Sequence, residues 1–313
     1  MMITRAHQMS LKQLEDLEAL MARCQKADLN TIPIYKHLID KLHTLPCNIL
    51  YYDNEKLIGY LRSFFFYTNA CEIALMVDPS SRRRGIARAM LKEIIPMLQI
   101  EQIQTLYFSA PKDLNQAWLT QLGLSFHGSE RQMQYDPQKP VSVSFKPAAI
   151  RVAVLKDVLA LVELDNICFP NKKPDAEEVF RNLLNTANCT IFVLTQDQRI
   201  VGKAHVFKES DRARITDIGV FPEYRGRGFA STLIKYCINH ALINNKPKIV
   251  LDVEVANESA LKLYDGLGFQ ITNAHDYWST PKDALEFGLS ALLCHSDTTP
   301  DQAKTEKHNK DTP

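Results

Sequence analysis

The sequence predicts an α/β protein made of two tandem units, each with a mixed central sheet flanked by helices. A length of 313 residues suits two domains of roughly 100–200 residues each. A short stretch occurs twice, at residues 77–87 and 220–230, with Val, Pro, Arg, Gly and Ala at matching positions. In both places a β-rich run comes before the stretch and a helical pattern of apolar residues follows it. The chain therefore carries one strand, turn and helix device in each half.

The predicted domain boundaries follow this repeat. Residues 1–135 are assigned to the N-terminal unit and residues 148–294 to the C-terminal unit. Residues 136–147 contain three prolines and no helical period, which is typical of a linker. Residues 295–313 are polar and lack a core pattern, so they are predicted to be a disordered tail.

Composition excludes several classes of protein. Lys plus Arg, 37, nearly balances Asp plus Glu, 36, so no overall field would attract nucleic acid or an anionic membrane. No apolar run reaches the roughly 20 residues that a bilayer requires, and the N-terminus lacks the apolar segment of a secretory signal. Seven cysteines without a Cys-x-x-Cys pair argue against a metal site or a disulfide framework. We therefore expect a cytoplasmic protein without a metal.

The elements of the first half follow from caps, periodicity and β-branched runs. Ser10 to Gln13 has a capping-box pattern and starts a helix that is expected to end near Cys24. Pro96 is expected to kink or end early the helix that follows Gly85. The other predicted elements are a helix at 34–42, strands at 48–52, 57–67, 71–77 and 104–110, a helix at 114–122, and weaker strands near Phe126 and Met133.

The second half repeats this order. The helix after its turn has the clearest apolar face in the chain. In the strand predicted at 249–255, Asp252 and Glu254 share one face, so two carboxylates project on the same side. The remaining predictions are a strand at 150–152, helices at 156–166 and 175–185, strands at 190–195, 200–207 and 213–220, a helix at 258–267, and strands at 269–272 and 285–292.

The repeated turn has the residues of a diphosphate site. Gly226 and Gly228 let the backbone approach a ligand, and the following helix presents free N–H groups and the positive end of its dipole. Arg225 and Arg227 can add charge-assisted hydrogen bonds. The alternative is a basic turn that only starts a helix, but the duplication favours a binding site. A P-loop or dinucleotide fold is disfavoured because neither Gly-x-Gly-x-x-Gly nor Gly-Lys-Ser/Thr occurs at the turn.

The motif Val-x-Pro-x-x-Arg-x-x-Gly-x-Ala, present in both halves, resembles the acetyl-CoA motif of the GNAT superfamily of N-acetyltransferases. Residues 251–269 are similar to the next strand, the Asn-containing turn and the Leu-Tyr-x-x-Leu-Gly-Phe helix of that family, and in particular of ribosomal-protein alanine acetyltransferases. The two-unit layout is similar to that of mycothiol synthase and of tandem-GNAT bacterial effectors. The resemblance implies acetyl-CoA as co-substrate. The residues it assigns to acetyl-CoA are Ile218, Gly219, Val220, Arg225, Gly226, Arg227, Gly228, Phe229, Ala230 and Asn257 in the second half, and Met76, Val77, Arg82, Arg83, Arg84, Gly85, Ile86 and Ala87 in the first.

The same resemblance implies the catalytic groups. Tyr264 would protonate the departing CoA thiolate, and a phenol with a pKa near 10 suits that role. A carboxylate would take the proton of the acceptor amine, with Asp252 as first candidate and Glu254 and Asp217 as neighbours. The alternatives are a tyrosine that only packs against the sheet and carboxylates that are merely solvated or ion-paired.

The first half lacks these groups. Aligning the Leu-Gly pairs at 122 and 267 places Leu119 at the position of Tyr264, Lys112 at that of Asn257 and Ser109 at that of Glu254. We therefore expect the N-terminal unit to be non-catalytic.

For the acceptor, residues 168–170 and 276–278 resemble the rims of N-terminal protein acetyltransferases, which favours a protein or peptide amine. A small-molecule amine and a low-turnover CoA-binding interaction protein are the alternatives. The tail resembles the C-terminal translocation signals of effectors from intracellular bacteria, so translocation into a host cell is an alternative to a cytoplasmic location.

Overall fold

The computed structural model describes residues 2–34, 39, 42–65, 69–137, 150–169 and 175–294, with side chains to residue 290. The helix predicted at 34–42, most of the linker and the tail lie outside these residues. Packing divides the chain into two compact units. Unit 1 combines Met1–His127 with the chain from Asp276 onward, and unit 2 is Gly128–His275. Among the described helices, none is long and apolar enough to cross a membrane.

Unit 1 has a sheet in the order β1-β2-β3-β4-β5-β12, in which β4 and β5 are parallel. Its helices lie on both faces of this sheet, because separate apolar clusters include residues of α1 and of α2. The elements are β1 (Met2–Ala6), α1 (Leu11–Asp28), β2 (Asn48–Asp53), β3 (Lys56–Phe64), β4 (Ala70–Val77), α2 (Ile86–Ile100), β5 (Thr105–Pro111), α3 (Gln116–Gln121), the start of β6 (Ser125–Tyr135), the end of β12 (Phe269–Pro281) and α8 (Lys282–Cys294).

Unit 2 has a sheet in the order β6-β11-β10-β9-β8-β7, with β12 next to β6 and with β10 and β11 parallel. Helix α6 packs on one face of the sheet through its predicted apolar side, and α4 and α5 cover the other. The remaining elements are β7 (Ile150–Val152), α4 (Val158–Cys168), α5 (Ala176–Leu184), β8 (Cys189–Gln196), β9 (Arg199–Lys208), β10 (Arg212–Val220), α6 (Phe229–Ile243), β11 (Lys248–Glu254) and α7 (Glu258–Gly266).

The unit boundaries differ from the predicted ones because two segments are exchanged between the halves of the sequence. Strand β6 pairs with β11 from Gln134 opposite Val250 to Glu130 opposite Glu254. Its Met133 is buried in the core of unit 2. Trp278, before α8, is buried in the core of unit 1. The predicted boundary follows if each half of the sequence builds its sheet only from its own strands. The pairing of β6 with β11 shows that this is not the case.

The structure differs from the sequence prediction at two helices. Pro96 does not end α2 early: the helix continues to Ile100, and Met97 and Leu98 after the proline are buried in the core. The strand predicted at 285–292 is helix α8. Leu285 and Leu289 are buried while Phe287 between them is 76% exposed, which is the four-residue spacing of a helix rather than the alternation of a strand. Strand β1 was not predicted.

Helix α8 packs so closely against the rest of unit 1 that Gly288 has no room for a side chain. A Cβ atom there would lie 2.8 Å from the carbonyl oxygen of Leu122, which is backbone and cannot rotate away. We expect Gly288→Ala to lower the free energy of unfolding by about 1–3 kcal/mol. In α7, Gly266 has open space, so Gly266→Ala is expected to raise it by about 0.5–1 kcal/mol. Urea unfolding of both variants checks this; equal effects would contradict the packing.

Candidate active site

The turn of unit 2 has the predicted strand, turn and helix form. After a short 3-10 turn at Pro222–Tyr224, Arg225 is extended and Gly226 and Gly228 adopt left-handed conformations, with φ of +74° and +77°. Gly228 is the N-cap of α6, so the first amides of that helix face out of the turn. This geometry can hold a diphosphate on backbone N–H groups.

Unit 1 repeats this backbone but not its residues. Gly85 caps α2 with φ of +78°, as Gly228 caps α6. At the position of Gly226, however, unit 1 has Arg83, whose φ is +61°. A side chain in the left-handed region costs roughly 1 kcal/mol, and the surrounding turn keeps it there. The backbone of the first turn is therefore preserved without the glycine.

The two turns differ in charge. Arg82 and Arg225 each donate from Nε to the carbonyl oxygen of the valine that precedes the turn, at 3.1 and 3.0 Å. In unit 1, Arg82 also donates two hydrogen bonds to Asp28, at 2.7 and 2.5 Å, and this pairing raises the pKa of Arg82. Within the described part of the chain, Arg225 contacts no carboxylate. Its charge is available to a phosphate, whereas that of Arg82 is neutralised.

The parallel strands before the turn also differ. In unit 2 the pairing of β10 with β11 stops after Arg214 and Val250. One additional residue is inserted in β10 between Thr216 and Gly219, which makes a β-bulge. In unit 1 the pairing of β4 with β5 continues for two more pairs, to Ala74 and Ser109, and β4 has no bulge. The parallel strands of unit 2 therefore separate two residue pairs earlier than those of unit 1.

The residue types at the strand opening also differ between the two units. Gly202 lies opposite Val220 in unit 2 and Gly59 lies opposite Val77 in unit 1, so the two sheets can be aligned by register. This alignment puts Gly219 of unit 2 at the position of Met76, which is buried in the core of unit 1. Residues 218–220 therefore lie on a strand that separates early from its parallel neighbour, whereas Met76 of the first half is a core residue.

The proposed acid, Tyr264, lies on α7 and is 8% exposed. Burial raises the pKa of its hydroxyl to about 12, so the phenol keeps its proton at neutral pH. Asn257 is the N-cap of the same helix and accepts a hydrogen bond from the amide of Ala260. In unit 1 the corresponding helix is shorter, its cap is Asn115 without a side-chain bond, and Leu119 is buried in the core.

The two predicted carboxylates have different surroundings. Asp252 is ion-paired with Arg214 and accepts a hydrogen bond from Gln132 at 3.2 Å. Burial nevertheless raises the pKa of Asp252, with Arg214 opposing that shift. Glu254, at the end of β11, is exposed. The register of β4 and β5 places Ser109 at the position of Asp252 rather than of Glu254, so unit 1 lacks this carboxylate too.

Prediction missed a group of buried polar residues in unit 2. Lys203 and His205 alternate on β9, are 0% and 2% exposed, and lie on the face that α4 and α5 cover. Lys203 is paired with Asp165 of α4 at 2.7 Å, and His205 lies 3.5 Å from Asp217. The sequence contains a signal for this group. Lys203 and His205 are separated by one residue in an otherwise apolar strand, so their side chains lie on the same face.

The aromatic rim near residues 276–278 is not supported as predicted. Trp278 belongs to the core of unit 1 and contacts the ring of Phe126. Phe169 instead faces the Lys203 ammonium, 5.3 Å from its ring centre. Pro170 lies outside the described residues. Among the residues with described positions, no three His, Cys, Asp or Glu side chains form a group that could hold a metal ion.

An α/β fold with a glycine turn at a helix N-terminus defines a class of proteins that can bind a ligand containing a diphosphate. The sequence profile of the Acetyltransferase (GNAT) family matches residues 11–119 and 158–269. The chain therefore belongs to the GNAT family and is an acetyltransferase with two tandem GNAT units. The family uses acetyl-CoA.

Similar proteins include enzymes of two kinds. Mycothiol acetyltransferase of Corynebacterium efficiens is 26% identical over 219 residues, 64% of this chain and 71% of that protein. N-alpha-acetyltransferase 30 of Schizosaccharomyces pombe is 28% identical over 141 residues, 43% of this chain and 91% of that protein. The structure of a GCN5-related N-acetyltransferase from Sphaerobacter thermophilus superposes with a TM-score of 0.73 at 16% identity, over 90% of this chain and 96% of that one, and supports the fold alone.

Proposed function

We propose that the chain transfers an acetyl group from acetyl-CoA to a primary amine of a protein or peptide, by direct attack in a ternary complex in unit 2. The observation that carries this proposal is the opening between β10 and β11, which leads to the turn with an uncompensated Arg225. In the proposed complex, the backbone of residues 218–220 pairs with the pantetheine arm, and the amides at the start of α6 hold the diphosphate.

The proposed chemistry needs a base and an acid in the same unit. A carboxylate of unit 2, with Asp252 and Glu254 as the predicted candidates, takes the proton that the cationic amine must lose before it attacks the thioester. Tyr264 donates its proton to the departing sulfur. Because its hydroxyl is buried and protonated, it is a donor and not a competing anion.

A small-molecule amine is the second candidate acceptor. The similarity to mycothiol acetyltransferase favours it, since that match covers more of this chain than the match to the N-alpha-acetyltransferase. Release of CoA thiol with a panel of peptides, compared with aminoglycosides and polyamines, separates the two acceptors. Absence of release with every amine would instead favour a CoA-binding interaction protein.

The charge difference between the turns predicts one acetyl-CoA site per chain. Isothermal titration calorimetry is expected to give a stoichiometry of one. Arg225→Gln is expected to weaken binding about tenfold or more, because it removes a charge-assisted bond to phosphate. The matched change Arg82→Gln is expected to leave affinity within about twofold, since Asp28 already occupies that guanidinium. Two acetyl-CoA molecules per chain, or equal effects of both variants, would refute the single site.

A further inference from the structure

Four polar side chains form a continuous buried chain in unit 2 that ends at the strand opening. The Lys203 ammonium lies 2.7 Å from Asp165 Oδ1 and 3.3 Å from His205 Nε2. His205 Nδ1 lies 3.5 Å from Asp217 Oδ2. The rings of Phe169 and Phe180, centred 5.3 and 5.1 Å from the ammonium, enclose it. Three members are almost fully buried, and only the side chain of Asp217 is appreciably exposed, at 24%.

The order of charges in this chain assigns the proton on His205. An ammonium only donates hydrogen bonds, so the contact with Lys203 requires His205 Nε2 to be the acceptor. The imidazole proton is then on Nδ1, the nitrogen that faces Asp217. The protonated nitrogen of His205 therefore lies 3.5 Å from Asp217 Oδ2, which is an electrostatic contact, and the Asp165–Lys203 pair favours this tautomer.

Asp217 lies at the irregular segment of β10, beside the opening between β10 and β11. It belongs to the inserted segment of β10, beyond the point at which β10 and β11 separate, and its φ is +51°. The Thr216 hydroxyl donates to its Oδ2 at 2.8 Å. A strained non-glycine residue held by two neighbours at an opening is typical of a functional position.

Unit 1 has the same fold without this chain of groups. Its register places Tyr60 and Arg62 at the positions of Lys203 and His205. Cys24 and Cys168 both contact the carbonyl of the valine before the turn, which places Met21 at the position of Asp165. Strand β4 of unit 1 has no bulge, so no residue of unit 1 corresponds to Asp217. Within the described residues, the four groups occur together only in unit 2, whose parallel strands separate earlier.

We propose that Asp217 is the proton acceptor for the amine in unit 2, held by His205 and Lys203; the assignment rests on the proposed function. One ammonium proton passes to the Asp217 carboxylate and then to solvent. The nitrogen lone pair forms the C–N bond, the C–S bond breaks, and the sulfur receives the proton of Tyr264. The second proton lost by the nitrogen restores Tyr264 through solvent, so one proton is released per acetyl transfer.

Asp252 is less suited to this role. Arg214 and Gln132 contact its two oxygens, and Arg214 is also held by Glu209 at 2.7 Å. Instead, His205 of β9 lies 3.5 Å from Asp217, and Cys189 of β8 lies within range of the Asp217 charge. Lys203 of β9 and Asp165 of α4 lie further along the same buried chain. Burial raises the pKa of Cys189 to about 11, so its thiol is neutral near pH 7.

The test is the pH dependence of Asp217→Asn with a peptide whose α-amine has a pKa near 8. Asparagine tolerates positive φ, so the fold is expected to persist, and Asp217→Gly serves as a second variant that accepts this conformation. At pH 6.5 we expect kcat/KM to fall about a hundredfold. The deficit should shrink about tenfold per pH unit and level off above pH 8, because the substrate then loses its proton without help.

Three comparisons complete the experiment. His205→Asn should give a smaller deficit with the same pH dependence, which a merely structural role would not produce. Asp211→Asn, at the other end of β10, removes an exposed carboxylate and should leave kcat/KM unchanged. A deficit in Asp217→Asn that is absent or independent of pH would overturn the assignment while leaving the proposed function intact. Failure of the wild-type chain to release CoA with any amine would overturn both.

Discussion

Replacing Tyr264 by phenylalanine is expected to lower kcat about a thousandfold, with little change in the affinity for acetyl-CoA. The substitution removes one oxygen from a side chain that is 8% exposed and keeps the ring that packs beside Phe269. General acid catalysis contributes about 10²–10⁴ to a rate. A thiolate that leaves without a proton donor in a dry site loses that contribution.

The measurement is steady-state release of CoA thiol, with acetyl-CoA affinity determined by calorimetry on the same preparation. Since the pKa of Tyr264 is raised to about 12, the wild-type enzyme should show no loss of kcat from tyrosine ionisation up to about pH 11. Unchanged kcat in the phenylalanine variant would show that the chemistry does not depend on this hydroxyl, and would contradict the assignment of the acid to Tyr264.

Replacing Asp165 by asparagine is expected to lower the free energy of unfolding by about 3–5 kcal/mol. Asp165 is 4% exposed and Lys203 is fully buried, so the change leaves an ammonium in the core without its counter-ion. Breaking one partner of a buried pair costs this much because the remaining charge is desolvated and uncompensated. Urea unfolding at pH 7 gives the value.

Two variants control for this result. Glu163→Gln on the same helix breaks the exposed contact with Arg199 and should change stability by less than about 0.5 kcal/mol. The double variant Asp165→Met with Lys203→Tyr installs the residues that unit 1 has at these positions, and should recover most of the loss because it removes both charges. A single variant as stable as wild type would show that the pair is solvated.

The repeated strand, turn and helix could be predicted from the sequence because the signals for them are local. Two glycines around Arg227 require positive φ, and the residues after Gly228 have an apolar face that α6 buries as predicted. The shared face of Asp252 and Glu254 follows from the two-residue period of a strand. Each of these inferences needs only neighbouring residues.

The features that prediction missed depend on distant partners. Asp165 and Lys203 are paired through the packing of α4 on β9, and nothing near either residue in the sequence indicates it. The bulge at Asp217 is visible only when β10 is compared with the register of β9. The continuation of α2 past Pro96 depends on the burial of Met97 and Leu98, which a rule about the proline alone does not include.

The exchanged segments also determine the order in which the units can be completed during synthesis. Unit 2 is one continuous stretch, whereas residues 1–127 lack the end of β12 and all of α8 until the ribosome has translated residue 294. At roughly 5–20 residues per second, that wait is on the order of ten seconds. Unit 2, although encoded second, can therefore complete its fold before unit 1. Until then the apolar surface around Leu122 that α8 will cover remains open to chaperones.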